Sequence, residues 1–238
     1  MSVISQTSVS VEGLNQIFEP LPPHRRLQLL YEYFPPEEIM ATTSFGASSA
    51  FLLHLFSRVR HSQKIFFIDT TFHFPETLRY KELLMRKLSL NIQTVKPDPG
   101  VNAVTRKEKS WVSDPNLCCT VNKVLPLEEV KSQHRIWISG LMGYQNPFRK
   151  NLRVFEEQDG VLKFHPLIDV KEVDVRRYLT FFNLPFHPLE EKGFGSIGCT
   201  HCTAKGKDRA GRWIGKSKTE CGLHLSFTEF SRVSISGK

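Results

Sequence analysis

Residues 39–61 read IMATTSFGASSAFLLHLFSRVRH, and they decide the fold. IMATTS is β-branched and apolar, SFGASS is a run of small residues, and SAFLLHLFSRVRH places apolar side chains at helical spacing. The stretch therefore reads as strand, tight loop and helix. Upstream, HRRLQLLYEYF has the same helical spacing and is stopped by Pro35-Pro36. Downstream, KIFFIDT reads as a second strand leading through FHFPET into a helix, ETLRYKELLMRKL. LNIQTVKP reads as a third strand and HRIWISG as a fourth. After LKFHPLIDV, the segment DVKEVDVRRYLTFF is helical again. Strands alternating with helices predict an α/β fold with a doubly wound, mostly parallel sheet.

Such sheets bind ligands beyond the carboxyl ends of their strands, where Ser44, Phe45, Gly46, Ser48 and Ser49 fall. Backbone amides of a small-residue loop opening a helix can cradle an anion, and the same loop can equally be a plain tight turn. It is not a Walker A loop, because the glycine-lysine pair is missing. Asp69 and Thr70 end the second strand, where a carboxylate could meet a ribose-like hydroxyl or cap a turn.

The chain has 238 residues, 40% of them apolar, enough for one large domain or two small ones. MSVISQTSVSVEGLNQIFEP lacks the basic start and apolar block of a secretory signal, and nowhere do eighteen apolar residues run together. The expectation is a cytoplasmic protein that does not engage a membrane. In that reducing compartment, five unevenly spaced cysteines suit metal or redox chemistry better than a disulfide framework. A formal net charge of +8 predicts an anionic partner. Between Cys202 and Cys221 lie Lys205, Lys207, Arg209, Arg212, Lys216 and Lys218, against only Asp208 and Glu220. This polar, glycine-interrupted segment reads as a loosely ordered flap. The expected division is a nucleotide-binding unit over 1–202 and a flexible basic segment over 203–238.

Cys118-Cys119 and Cys199-x-x-Cys202 supply four thiolates, the set for a tetrahedral zinc or an iron-sulfur cluster. Adjacent cysteines are an unusual way to hold one zinc, because consecutive side chains diverge. A cluster with several irons tolerates the divergence better.

Together these residues resemble a known family. CC-x-x-x-K at 118–123, WISGL followed by Gln145 and Arg149, GFGSIGCTHC at 193–202, GRW at 211–213 and KTECGLH at 218–224 look like the assimilatory adenylylsulfate and phosphoadenylylsulfate reductases. The resemblance runs from about Ile39 to His224. It implies a fold related to the PP-loop (adenine nucleotide alpha hydrolase-like) enzymes, with the SFGASS loop, Asp69-Thr70, Gln145 and Arg149 at the nucleotide. It implies that Cys118, Cys119, Cys199 and Cys202 bind one 4Fe-4S cluster, that Lys123 lies between cluster and substrate, and that Arg209 and Arg212 close over the anion. The four-cysteine set marks the adenylylsulfate branch, giving sulfite and AMP. The alternative is the 3′-phosphorylated substrate, giving sulfite and adenosine 3′,5′-bisphosphate. Where the family carries two arginines and an acid, this chain has Met142, Gly143 and Tyr144. Asn146 replaces a serine and Thr71 a glycine.

Cys221 has no internal partner among the cysteines. A cationic neighbourhood lowers a thiol's pKa, and the flap and His224 are expected to supply one, opposed by Glu220. Attack of Cys221 on the substrate sulfur would leave an S-sulfocysteine, which an external dithiol, thioredoxin or glutaredoxin, would reduce. Two other classes stay open: a zinc-stabilised nucleic-acid binder, which gives Cys221 no role, and a PP-loop ligase, which would keep a fuller SGGxDS-like loop. The expectation is no nucleic-acid partner; a homo-oligomer is left open.

Overall fold

All four strands expected from sequence form in the computed structural model, which describes residues 9–224; residues 1–8 and 225–238, the outer ends of the two expected units, lie outside the description. They are β1 (Ile39–Thr43), β2 (Lys64–Ile68), β3 (Asn91–Val95) and β4 (Ile136–Ile138). Two further strands, β5 (Phe155–Gln158) and β6 (Val161–Phe164), complete a sheet of order β3-β2-β1-β4-β6-β5. Every pairing is parallel except the β5/β6 hairpin. That hairpin turns on Asp159-Gly160, both at positive φ (51° and 76°), the conformation a two-residue primed turn requires.

The predicted helices form as α2 (Pro23–Tyr33), α3 (Ser49–Val59), α4 (Pro75–Leu88) and α10 (Glu172–Phe181). Sequence reading did not anticipate α1 (Val11–Phe18), capped by Ser10, nor α5 (Pro99–Lys107). It also missed α6 (Ser110–Ser113), α7 (Pro115–Cys119), α8 (Leu125–Lys131) and α9 (Pro147–Lys150). Between α7 and α8 the helix widens to a π-helical stretch, Thr120–Val124, directly after the cysteine pair; such bulges recur at functional sites.

Alternation along the strands sorts side chains to two faces. Ile39, Ala41, Ile65, Phe67, Ile136 and Ile138 face the main core with side chains from α1 to α4 and α10. Met40, Phe66, Ile68, Trp137 and Val161 face the other side, covered by Leu127 of α8, with Val130 and Leu223 packed against it. The outer strand β5 is stitched to α1 by Asn15, whose amide donates to Phe155 O (3.0 Å) and accepts from Phe155 N (2.8 Å). The guanidinium of Arg26, 1% exposed, holds Asp169 (2.6 and 2.7 Å) and the Phe18, Glu19 and Pro166 carbonyls. The strand order reverses between β1 and β4, so a crevice opens at their carboxyl ends.

Candidate active site

A cavity of about 880 Å³ fills that crevice. Ser44, Gly46, Ser48 and Ser49 line one wall, Gln145 and Arg149 another, and Lys123, Cys199, Arg209, Arg212, Cys221 and His224 close it. Residues from four distant stretches of sequence thus meet in one place. Gln145 joins two walls, donating to Ser48 Oγ at 3.3 Å and accepting from Arg149 Nη1.

Three expected contacts take other positions. Phe45 is fully buried, edge-on to Phe67 at 5.4 Å, so its side chain is core and does not line the cavity. Asp69 accepts from Thr71 N at 2.9 Å and lies 4.0 Å from Lys96. That is the contact of a turn residue, and Asp69 too is absent from the lining. Thr70 is buried, with its hydroxyl 3.4 Å from Cys199 Sγ.

The four paired cysteines are free thiols. Cys118 and Cys199 pack with Phe72, and Cys202 and Trp111 lie against them. Asp114 caps α7 through Asn116 N (3.0 Å) and Leu117 N (2.9 Å), setting the helix that carries Cys118-Cys119. Asn122, buried one turn later, donates to Cys118 O at 2.9 Å and sits 3.8 Å from Cys118 Sγ. Nothing in the sequence marked it. Burial pushes Cys118 up to about 11 and Cys119 to about 12, and raises Cys202. Burial also works to raise Cys199, but the Lys123 ammonium, the Thr70 hydroxyl and Arg212 outweigh it and hold that thiol below its ordinary value. Burial opposes the charge on Lys123, and the facing sulfurs of Cys199, Cys119 and Cys221 overcome it, holding the ammonium protonated above its usual range. Among the described residues, no three His, Cys, Asp or Glu side chains converge as ligands of one ion.

The stretch expected as a loosely ordered flap is folded against the cavity over residues 203–224. Gly195 N donates to Gly206 O (2.9 Å) and Ala204 N to Gly211 O (2.8 Å). A Cβ on Gly211 would lie 2.1 Å from Ala204 O, and one on Gly195 2.5 Å from Asp208 N, so these glycines serve close backbone approach. Lys216 donates to Val112 O at 2.7 Å and Lys218 to Asn116, tying the segment to α6 and α7. Arg212 lies 4.3 Å from the Trp213 ring centroid and donates to Cys202 O at 3.1 Å.

Cys221 is half-buried, between two anchors. Upstream, Glu220 is locked by Arg149 and Arg209, so its charge is offset rather than opposing the neighbourhood as expected. Downstream, Leu223 packs on the Trp137 face and His224 stacks on Trp137 at 5.3 Å. Burial, with Lys163 and Arg149 nearby, drives His224 well below its ordinary pKa. The imidazole is neutral and does not supply the positive charge expected of it. Lys163, 4% exposed, takes a place that sequence reading overlooked: it donates to Leu223 O at 3.5 Å, lies 4.6 Å from the Trp137 centroid, and shares the field of Cys221 with Lys123 and Arg209. Its strand, β6, is four residues long, too short for its alternation to mark it in the sequence.

Gly143 explains one missing arginine. A Cβ there would sit 2.9 Å from Ile168 O, while Met142 is fully buried. Tyr144 lines the cavity in place of the acid, with burial lifting its phenol to about 12, so it presents a neutral hydroxyl.

Comparison with known proteins gives the family and the fold. The family described as phosphoadenosine phosphosulfate reductase domain matches residues 38–205. The chain is 42% identical over 199 residues to the adenosine 5′-phosphosulfate reductase of Bacillus mycoides (strain KBAB4), covering 79% of this chain and 85% of that protein. It is 41% identical over 196 residues to that of Bacillus cereus (strain 03BB102), covering 79% and 84%. The phosphoadenylyl-sulfate reductase of Candida auris, solved as a phosphate complex, superposes with a TM-score of 0.73 at 24% identity, covering 85% of this chain and all of that one. A yeast FAD synthetase in complex with FAD shares the fold at a TM-score of 0.55 and 15% identity, over 86% and 70%. The sheet order, the cysteine-lined cavity and these matches agree: the chain belongs to the phosphoadenosine phosphosulfate reductase domain family.

Proposed function

We propose that the protein reduces adenylylsulfate to sulfite and AMP, in assimilatory sulfate reduction, with Cys221 as nucleophile. The observation that carries this reading is the delivery of Cys221 into a cavity shared by the β1 loop and by Lys123, Arg149, Arg209 and Arg212. The cations suit an anionic mixed anhydride, and the loop at the start of α3 suits its nucleotide end. The Cys221 thiolate attacks sulfur, the bond from sulfur to the phosphate oxygen breaks, AMP departs, and SO3 remains on Cys221. Lys123 and the arginines offset the charge that develops on the leaving phosphate. One thiol of thioredoxin or glutaredoxin then attacks the Cys221 sulfur and expels sulfite. The second thiol closes the donor's disulfide and regenerates Cys221, so the dithiol supplies both electrons. Residues 203–222, carrying Cys221, are the segment we take to move away for that encounter.

Cys118, Cys119, Cys199 and Cys202 suit one 4Fe-4S cluster. Cys118, Cys199 and Cys202 gather around Phe72, Cys119 is buried beside Cys118 and feels the charge of Cys199, and four thiolates are the donor set such a cluster takes. When bound, the cluster would supply fixed charge to the site, where the Lys123 ammonium faces the Cys119 and Cys199 sulfurs. We place the reaction in the cytoplasm, whose reducing poise suits five cysteines with no disulfide among them. Among the described residues no helix is long and apolar enough to cross a membrane.

The test is sulfite release from adenylylsulfate and from its 3′-phosphorylated form, with a dithiol donor. Adenylylsulfate should be favoured at least about tenfold in kcat/KM. Absence of sulfite from both nucleotides sinks the assignment; preference for the 3′-phosphorylated form reassigns the substrate.

A further inference from the structure

Glu220 is the most enclosed carboxylate of the cavity, with 1% of its side chain exposed, and the groups around it form a complete oxyanion cradle. Arg149 meets it side-on, Nε to Oε1 at 2.7 Å and Nη2 to Oε2 at 2.9 Å. Asn146 Nδ2 donates to Oε1 at 2.6 Å, and Arg209 Nη2 lies 3.4 Å from Oε2. The floor of this cradle exists without Glu220. Asn146 caps α9 by accepting from Arg149 N at 2.8 Å, and Gln145 holds Arg149 Nη1, so residues 145–149 brace one another. Glu220 arrives from a different stretch of chain, as a ligand would.

We propose that Glu220 is the resident anion of the site. An incoming tetrahedral oxyanion takes over the Arg149–Asn146–Arg209 cradle and unseats Glu220, which frees the adjoining thiol of Cys221 to turn towards the bound anion. This rests on the reading of the cavity as the seat of an anionic substrate. A guanidinium receives a pair of oxygens from a carboxylate, sulfate or phosphate in the same planar, two-point way. Exchange of one anion for another keeps the two arginines neutralised, whereas adding substrate beside a retained Glu220 would crowd like charges into a poorly solvated space. Cys221 follows Glu220 directly, about 3.8 Å from Cα to Cα, so it moves when Glu220 moves. Leu223 and His224 stay seated on Trp137 and serve as the fixed end. The thiol is thus held in place until an oxyanion arrives.

The test uses the full chain, purified anaerobically with its metal content as isolated, and inorganic sulfate as probe against sodium chloride at equal ionic strength. Iodoacetamide labelling of Cys221 is followed by mass spectrometry of its peptide, and sulfate affinity by calorimetry. In the wild type, sulfate but not chloride should speed Cys221 labelling at least about fivefold, saturably. Glu220→Gln should label fast without sulfate and bind sulfate at least about tenfold tighter, while Glu220→Asp should keep the slow baseline. Wild-type labelling indifferent to sulfate, or Glu220→Gln binding sulfate no tighter, overturns the proposal. Should Glu220→Gln fail to fold, the wild-type arm decides alone. Failure of the functional reading shows separately, as no sulfite from either nucleotide while labelling still responds to sulfate.

Discussion

Replacing Lys163 by Met should abolish a rise of stability with pH that the wild type shows above neutrality. Lys163 is 4% exposed, and its pKa falls from an ordinary 10.5 to about 7. Burial is the main cause and the charge of Lys131 adds to it, while Asp159, Cys221 and Glu156 act the other way; His224 and His165 also share its field. Because the folded pKa is depressed, the unfolded chain binds more protons between about pH 7 and 10.5. The penalty is therefore complete below pH 7 and is relieved as pH rises through that window. The whole shift sets a ceiling of about 5 kcal/mol at about 1.4 kcal/mol per unit. The cation–π contact with Trp137 at 4.6 Å and the bonds to Gln158 and Leu223 O belong to the charged form and return part of it. A gain of about 1–3 kcal/mol between pH 6.5 and 9 is expected in the wild type, absent from Lys163→Met, in urea titrations under anaerobic, reducing conditions. Groups outside the field of Lys163 are common to both proteins and cancel in the difference, and His165 and His224, which burial holds low, stay neutral across the window. Parallel pH profiles for the two would show that Lys163 is not held desolvated, and the reasoning fails.

Cys221→Ser should lose both AMP release and the SO3 mass adduct while still binding nucleotide; an adduct surviving on any other cysteine would reassign the nucleophile. Anaerobically purified wild type should contain about four irons per chain, and Cys119→Ser should lose them while circular dichroism keeps the sheet signature. Zinc without iron or inorganic sulfide would refute the cluster. Gly143→Ala, whose new Cβ would meet Ile168 O at 2.9 Å beside a 2.7 Å hydrogen bond from Gly143 N to the same oxygen, should cost about 1–3 kcal/mol by chemical denaturation. An unchanged midpoint would show that the loop can yield.

What the sequence determined by itself is local or categorical. Apolar periodicity is written into consecutive residues, so IMATTS and SAFLLHLFSRVRH announced β1 and α3, and with them the carboxyl-end loop. Five unevenly spaced cysteines likewise pointed to metal or redox chemistry, and KTECGLH carried the resemblance to the reductase family. The hairpin of β5 and β6 was legible in Asp159-Gly160 between FEEQ and VLKF, yet each strand is four residues long, too short for alternation to stand out. Only the tertiary structure decided which charges face which. Phe45 and Ser44 are neighbours in sequence, but the positive φ of 48° at Phe45 sends one to the core and leaves the other at the cavity. The glycines at 206 and 211 suggested looseness, whereas they let backbones touch, because a missing Cβ permits close approach as readily as freedom. His224 carries no cation, Glu220 opposes none, and Lys163 loses its own charge near neutrality. Each of these depends on burial and on partners tens of residues away, and the energy of a charge is set by its surroundings in space rather than by its place along the chain.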